Sequence, residues 1–171
     1  MLQTLSNKVR KFTALEGEQK IIFIQAWFML GWARAAILTV SFKRLSAPLQ
    51  HHRELVTPSM LSPEQLQQAS RIGKLVASAA SATPWQSRCL AQVLVVQRLL
   101  ARRDIPGQFY LGVRKGGEDG TDPAGLAAHA WLRCGDVIVN GGSGHEDYTV
   151  VSAFSWGKLT RNPTQGQRGQ V

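Results

Sequence analysis

The 171-residue sequence predicts an α+β fold, in which a cysteine-bearing helix packs on a small antiparallel sheet behind an N-terminal helical extension. Three observations predict it. Leu66, Ala69, Ile72, Leu75, Val76 and Ala79, and then Leu90, Val93, Leu94, Gln97 and Leu100, recur at three- and four-residue intervals, so two helices each bury one stripe. Short β-rich runs broken by glycine-bearing turns follow, from Gln108 to Phe154. The stretch from about Glu18 to Thr39 is instead apolar nearly all round (Ile21, Ile24, Trp27, Phe28, Trp32, Ala35) and wants neighbours on most sides.

Taken in order, residues 1–20 are polar and basic, with Glu16 and Glu18 where a following helix dipole favours acids. The run Ile21–Val40 has about the length of a membrane span. Gln25 and Arg34 interrupt it and are costly at a bilayer centre, so a buried or interface-lying helix is the better reading. It either packs on the core or offers Trp27 and Trp32 to a partner. Neither a secretory signal nor its cleavage site is apparent. Lys43 to Pro63 reads as a proline-punctuated linker whose His51-His52 are surface residues, since neither HExxH nor CxxC spacing supports a metal. Ser62, Pro63 and Gln65 then form a helix start with a capping box. Arg102-Arg103-Asp104-Ile105-Pro106-Gly107 stops the cysteine helix. A strand follows over Gln108–Val113, then a glycine-rich surface loop over 114–125. Leu126–Arg133 is a second strand, Cys134-Gly135-Asp136 a tight turn, and Val137–Asn140 its antiparallel return. A loop over 141–147 precedes a last strand, Tyr148–Phe154. The expected division is an extension and linker over 1–60, a core over 61–160 and a disordered tail over 161–171.

The candidate chemistry lies at Cys89 and His129. Ser87 as N-cap puts Cys89 in the first helical turn, where unpaired amides and the dipole favour a thiolate. His129 lies on the strand Leu126–Arg133. A helix-top cysteine followed by a strand-borne histidine is the order of a papain-like or transglutaminase-like site. If Gly135-Asp136 is a two-residue turn, Cys134 pairs with Val137 and Trp131 with Asn140. His129, Trp131 and Asn140 then share a face, and Asn140 is the preferred orienter of His129. Asp136 lies about seven residues of ~3.3 Å away along the hairpin. Asp147 is the fallback, if the glycine loop folds back. Gln86 is a candidate oxyanion donor beside the Cys89 backbone N–H, and His145 either borders the cleft or is a surface residue.

Composition narrows the partners. Two cysteines are too few for a disulfide framework and suit a reducing, cytoplasmic compartment. Residues 1–103 carry 14 Lys+Arg against 4 Asp+Glu (+10), whereas residues 104–171 carry 6 against 7 (−1). The basic half suggests an acidic peptide, protein or membrane surface, unless it is simply a solvated face. Without aromatic residues interleaved among the basic ones, nucleic acid is not expected.

At this point the chain resembles a known family, the B protein of lasso-peptide biosynthesis in its split form without the leader-recognition domain. The resemblance rests on Pro84-Trp85 with Cys89-Leu90-Ala91-Gln92, on Leu99 to Pro106, on Phe109-Tyr110-Leu111-Gly112-Val113, and on Ala128-His129-Ala130-Trp131-Leu132. It runs from about residue 20 to 154. It implies a transglutaminase-like cysteine peptidase that needs no cofactor or metal, with Cys89 as nucleophile and His129 as general base. The implied substrate is a leader–core precursor peptide, and the implied partners are a separate leader-recognition protein and an asparagine-synthetase-type cyclase. The basic, aromatic N-terminal helices are the expected docking surface for that recognition protein; peripheral membrane contact is the other use of this region. Family members often carry an Asp after the second hairpin strand. Here that place falls on Asn140 if the turn is one residue shorter, and otherwise on Gly141. A transglutaminase-like acyltransferase and a non-catalytic peptide-binding module are the rival readings.

Overall fold

A computed structural model describes residues 13, 15–52, 60–115 and 126–157. Helices α1 (Gly17–Thr39), α2 (Phe42–Leu45), α3 (Pro63–Ala82) and α4 (Cys89–Ala101) precede and flank one sheet. The strands are β1 (Gln50–His52), β2 (Gly107–Lys115), β3 (Leu126–Cys134), β4 (Val137–Asn140) and β5 (Thr149–Trp156), with a 3-10 turn at His145–Asp147. They form a five-stranded sheet in the order β1-β5-β2-β3-β4, with every described pairing antiparallel. The α+β class predicted from the sequence is the class observed.

The helix starts follow local chemistry. Ser62 caps α3: its hydroxyl accepts from the Gln65 N–H, the Gln65 side chain accepts from the Ser62 N–H, and Pro63 opens the helix. The expected stripe is buried at Ala69, Ile72, Leu75, Val76 and Ala79. On α4 the buried set is Ala91, Val93, Val95, Val96, Leu99 and Leu100, broader than the expected stripe, with Leu90 and Leu94 half-buried. The reason is crowding: α4 packs on α1, on α3 and on the face of β3.

Alternation along the strands gives the sheet two unlike faces. Phe109, Ala130, Leu132, Cys134 and Phe154 point into the core shared with α1, α3 and α4. Tyr110, Trp131 and Ala153 form a separate cluster on the opposite face, with Tyr148 packed against it. Burying each large side chain of the first face contributes about 1.5–3 kcal/mol, so the helix-covered face dominates stability.

Two expectations are corrected here. The linker over Lys43–Pro63 contains α2 and a strand. β1 pairs with β5, and the side chains of His51 and His52 meet Ser152 and Ser155. Its polar sequence carries no alternation, so only pairing with a distant strand defines it. The hairpin register also differs. Cys134 does pair with Val137, but Asn140 pairs with Leu132 and not with Trp131, because Val139 is an extra residue bulged between Arg133↔Ile138 and Leu132↔Asn140. That bulge lies against α3. A Cβ on Gly73 would come within 2.1 Å of the Val139 carbonyl oxygen, so only glycine lets helix and bulge meet.

α1 is long and apolar enough to cross a membrane by length and composition. It buries Ile22, Ala26 and Leu30 against the protein and leaves Ile21, Ile24, Phe28, Trp32 and Leu38 exposed. The expected loop over 114–125 is described only at its start, where Arg114 and Lys115 belong to β2; residues 116–125 and the tail from 161 lie outside the described residues.

Candidate active site

Cys89 is the first residue of α4, and its N-cap is Arg88, not Ser87. The Ser87 hydroxyl is engaged elsewhere: it meets the Thr83 hydroxyl at 3.0 Å, and that oxygen also lies 2.8 Å from the Ala80 and Trp85 carbonyls. This small knot holds the 83–88 loop. α1 holds it too, since Arg34 Nη1 donates to the Gln86 carbonyl at 2.9 Å and the rings of Trp27 and Trp85 meet at 5.3 Å. The extension therefore buttresses the segment that presents Cys89. With no side-chain cap in place, the first amides of α4 remain available to an anion or oxyanion.

His129 sits opposite Gly112 on β3, on the face away from the helices, among Trp131 (5.9 Å between centroids, stacked) and Tyr148 (5.1 Å). Its Nε2 lies 2.7 Å from the Gly141 carbonyl oxygen. A carbonyl only accepts, so Nε2 carries the proton and donates. Nδ1 is then the nitrogen with the lone pair.

The structure does not bring the Asn140 side chain to His129. The bulge turns it to the helix side, where it is buried and its Nδ2 donates to Gln92 Oε1 at 3.3 Å. The expectation that His129, Trp131 and Asn140 share a face is thus overturned by the bulge, and the orienting contact comes from the next residue's backbone. Gly141 has φ +72°, and a Cβ there would lie 2.4 Å from the Ala130 carbonyl oxygen. No side chain, a carboxylate included, fits that place without moving the strand.

The other candidates lie elsewhere. Asp136 pairs with Arg133 at 2.8 Å at the hairpin tip, and Asp147 with Arg114 at 3.7 Å; both carboxylates are exposed. Gln86 is exposed, tied by its backbone to Arg34. His145 is half-buried, with Nδ1 2.7 Å from the Gly142 carbonyl and its ring 5.7 Å from Trp131. It borders a recess of about 350 Å³ beside Tyr110, Trp131 and Arg133. Among the described residues no group of His, Cys, Asp and Glu has a metal-binding arrangement.

Among the described residues no hydrogen bond joins Cys89 to His129; the link between them is indirect. Gln92 lies one turn after Cys89. Its Nε2 donates to the Ser87 carbonyl at 2.9 Å and its Oε1 accepts from Asn140, the residue before Gly141. One chain of amides thus runs from the start of α4 to the imidazole. Cys89 begins a helix of the covered face and His129 lies on the other face, so direct proton transfer between them requires the two to come together around the end of β4 when substrate binds. Sequence reasoning missed both Gln92 and the Gly141 carbonyl. The positive φ demanded at Gly141 was the one signal present, as the pair Gly141-Gly142.

The two cysteines are free. Burial pushes the Cys134 thiol up to about 12, whereas Cys89 is only half-buried at the margin of the core. Cys89 is the accessible thiol of the pair.

Comparison with known families supplies the frame for this geometry. A model described as the transglutaminase-like superfamily matches residues 36–153, more than half of the chain, including Cys89, His129 and Gly141. The chain belongs to the transglutaminase-like superfamily. This superfamily fold is typical of cysteine-dependent enzymes, peptidases and acyltransferases among them. Most of α1 precedes the matched segment. No curated protein and no solved structure matches the chain.

Proposed function

We propose that the chain is a cysteine peptidase that removes the leader from a ribosomally made lasso-peptide precursor. In this reading it works in the cytoplasm with a separate leader-recognition protein, ahead of an asparagine-synthetase-type cyclase. The observation that carries the chemistry is the contact between His129 Nε2 and the Gly141 carbonyl. With Nε2–H committed to the Gly141 carbonyl, Nδ1 is a ready proton acceptor on an imidazole already oriented, within a superfamily built on cysteine chemistry. The substrate and partners rest on the resemblance of the Cys89, Leu99–Pro106 and His129 segments.

The steps follow. His129 Nδ1 takes the Cys89 proton, and the thiolate attacks the carbonyl carbon at the leader–core bond. The free amides at the start of α4 stabilise the oxyanion. The C–N bond breaks as His129 returns its proton to the departing core amine. Water, deprotonated by His129, then cleaves the thioester, giving the leader carboxylate and the free thiol. A neutral carbonyl orients His129 but stabilises imidazolium less than a carboxylate does.

Mass spectrometry of a leader–core precursor incubated with this chain, with and without the recognition protein, tests the proposal. Free leader acid and free core amine are expected only with both proteins present. Full cleavage by this chain alone refutes the need for the partner. Transfer of the leader acyl group to an added amine, in place of hydrolysis, establishes the acyltransferase reading. Turnover by a chain with alkylated Cys89 refutes cysteine catalysis.

A further inference from the structure

Gln92 closes the stretch Cys89-Leu90-Ala91-Gln92, and the steps at Cys89 and His129 make no use of it. It is half-buried on the first turns of α4, and both ends of its carboxamide are used. The Ser87 carbonyl can only accept, so Gln92 must turn Nε2 toward it. Oε1 then faces Asn140, which must answer with Nδ2. Neither amide can flip without setting two acceptors or two donors against each other. The bond to Ser87 closes a ring of backbone around Cys89, from two residues before it to three after. The bond to Asn140 fixes the end of β4, whose next carbonyl, that of Gly141, holds His129. Asn140 is buried to 7% exposure, and its Oδ1 has no partner among the described residues, so Nδ2 to Gln92 is its one side-chain tie.

We propose that Gln92 is a positioning residue for the Cys89–His129 pair: a single carboxamide that sets the helix start and the end of β4 in mutual register. This inference rests on the cysteine–histidine reading above. It does not depend on which peptide is cleaved. A misplacement of about 1 Å between reacting groups costs on the order of 10²-fold in rate, which is the scale on which such a tie matters.

The test is the rate of Cys89 alkylation by iodoacetamide in the full chain, counted by intact mass at pH 6.5 and at pH 10. Wild type, Gln92→Leu, Gln92→Glu and His129→Ala are compared. Gln92→Leu removes both bonds; Gln92→Glu keeps an acceptor for Asn140 but sets an oxygen against the Ser87 carbonyl. Both variants are expected to react about tenfold more slowly than wild type at pH 6.5 and within about twofold of it at pH 10, because the alignment of the pair is lost and access to the sulfur is not. A variant that matches wild type at pH 6.5, or slows equally at both values, overturns the inference. If His129→Ala slows the pH 6.5 reaction and the Gln92 variants do not, Gln92 alone is refuted. If His129→Ala also leaves it unchanged, the cysteine–histidine reading falls, and the inference with it. Buried Cys134 reports folding in the same spectrum: if Gln92→Leu takes a second adduct, the isosteric Gln92→Glu decides the matter.

Discussion

The two faces of the sheet do different work, and the difference shows how a small core supports reactive chemistry. On the helix-covered face Phe109, Leu132 and Cys134 are sealed under α1, α3 and α4, and a thiol there is held protonated up to about 12. On the open face His129 rests among the rings of Trp131 and Tyr148 and donates from Nε2 to the Gly141 carbonyl. Cys89 lies at the margin of the covered face, and Gln92, Asn140 and Gly141 carry the connection around the end of β4. The larger apolar core lies on one side, and a smaller aromatic cluster with the half-buried His129 on the other. The bulge at Val139 joins them.

Substitutions that separate the faces rank by effect. Replacing Cys89 or His129 by Ala is expected to lower precursor cleavage at least about 10³-fold, with little change in melting temperature. Cys134→Ala should leave the rate within about threefold while lowering stability by about 1–2 kcal/mol. A steep loss of turnover in Cys134→Ala, measured on folded protein, would erase the distinction between the two thiols. Gly141→Ala forces a Cβ onto a left-handed backbone and against the Ala130 carbonyl. It should cost about 1–3 kcal/mol and about 10²-fold in rate, measured by chemical denaturation and by turnover. Gly73→Ala acts from the covered face by pushing α3 off the bulge. It should cost about 1–3 kcal/mol in denaturant, with a smaller fall in rate through Asn140.

The pH dependence of stability sharpens the same contrast. Cys134 has its thiol raised from 9.0 to about 12 by burial. Between those values the unfolded chain has lost the proton and the folded chain has kept it, so the unfolded state binds fewer protons and stability falls as pH rises. The contribution is fully present below pH 9 and lost towards pH 12, and amounts to at most about 4 kcal/mol. Burial also raises the Tyr110 hydroxyl, with the same sign. Urea melts at pH 8 and pH 10.5 should therefore show a smaller drop for Cys134→Val than for wild type; equal drops would refute the thiol's share. Smallest of all, Trp32→Gln on the exposed side of α1 should change stability by less than about 0.5 kcal/mol, the side chain being 78% exposed.

What could be read from the sequence was local. Ser62-Pro63-Gln65 carries its capping box within four residues, and the α3 stripe and the turn at Gly135-Asp136 follow from spacing. Cys89 at a helix start and His129 on a strand were equally visible. What was hidden depends on contacts between distant residues. β1 exists only because β5 pairs with it. The bulge at Val139 is decided by Gly73 on another element, and it turns Asn140 from His129 to Gln92. The N-cap shifted to Arg88 because Thr83 captures the Ser87 hydroxyl, a competition between side chains that periodicity does not register.

The most direct trial of the cysteine chemistry is the intact mass of the chain mixed with precursor and recognition protein and quenched in acid within the first turnovers. A species heavier by the leader acyl mass, located at Cys89, discharged by hydroxylamine and missing from Cys89→Ala, is the predicted result. Mature core released with no such adduct, or an adduct that persists in Cys89→Ala, would contradict it.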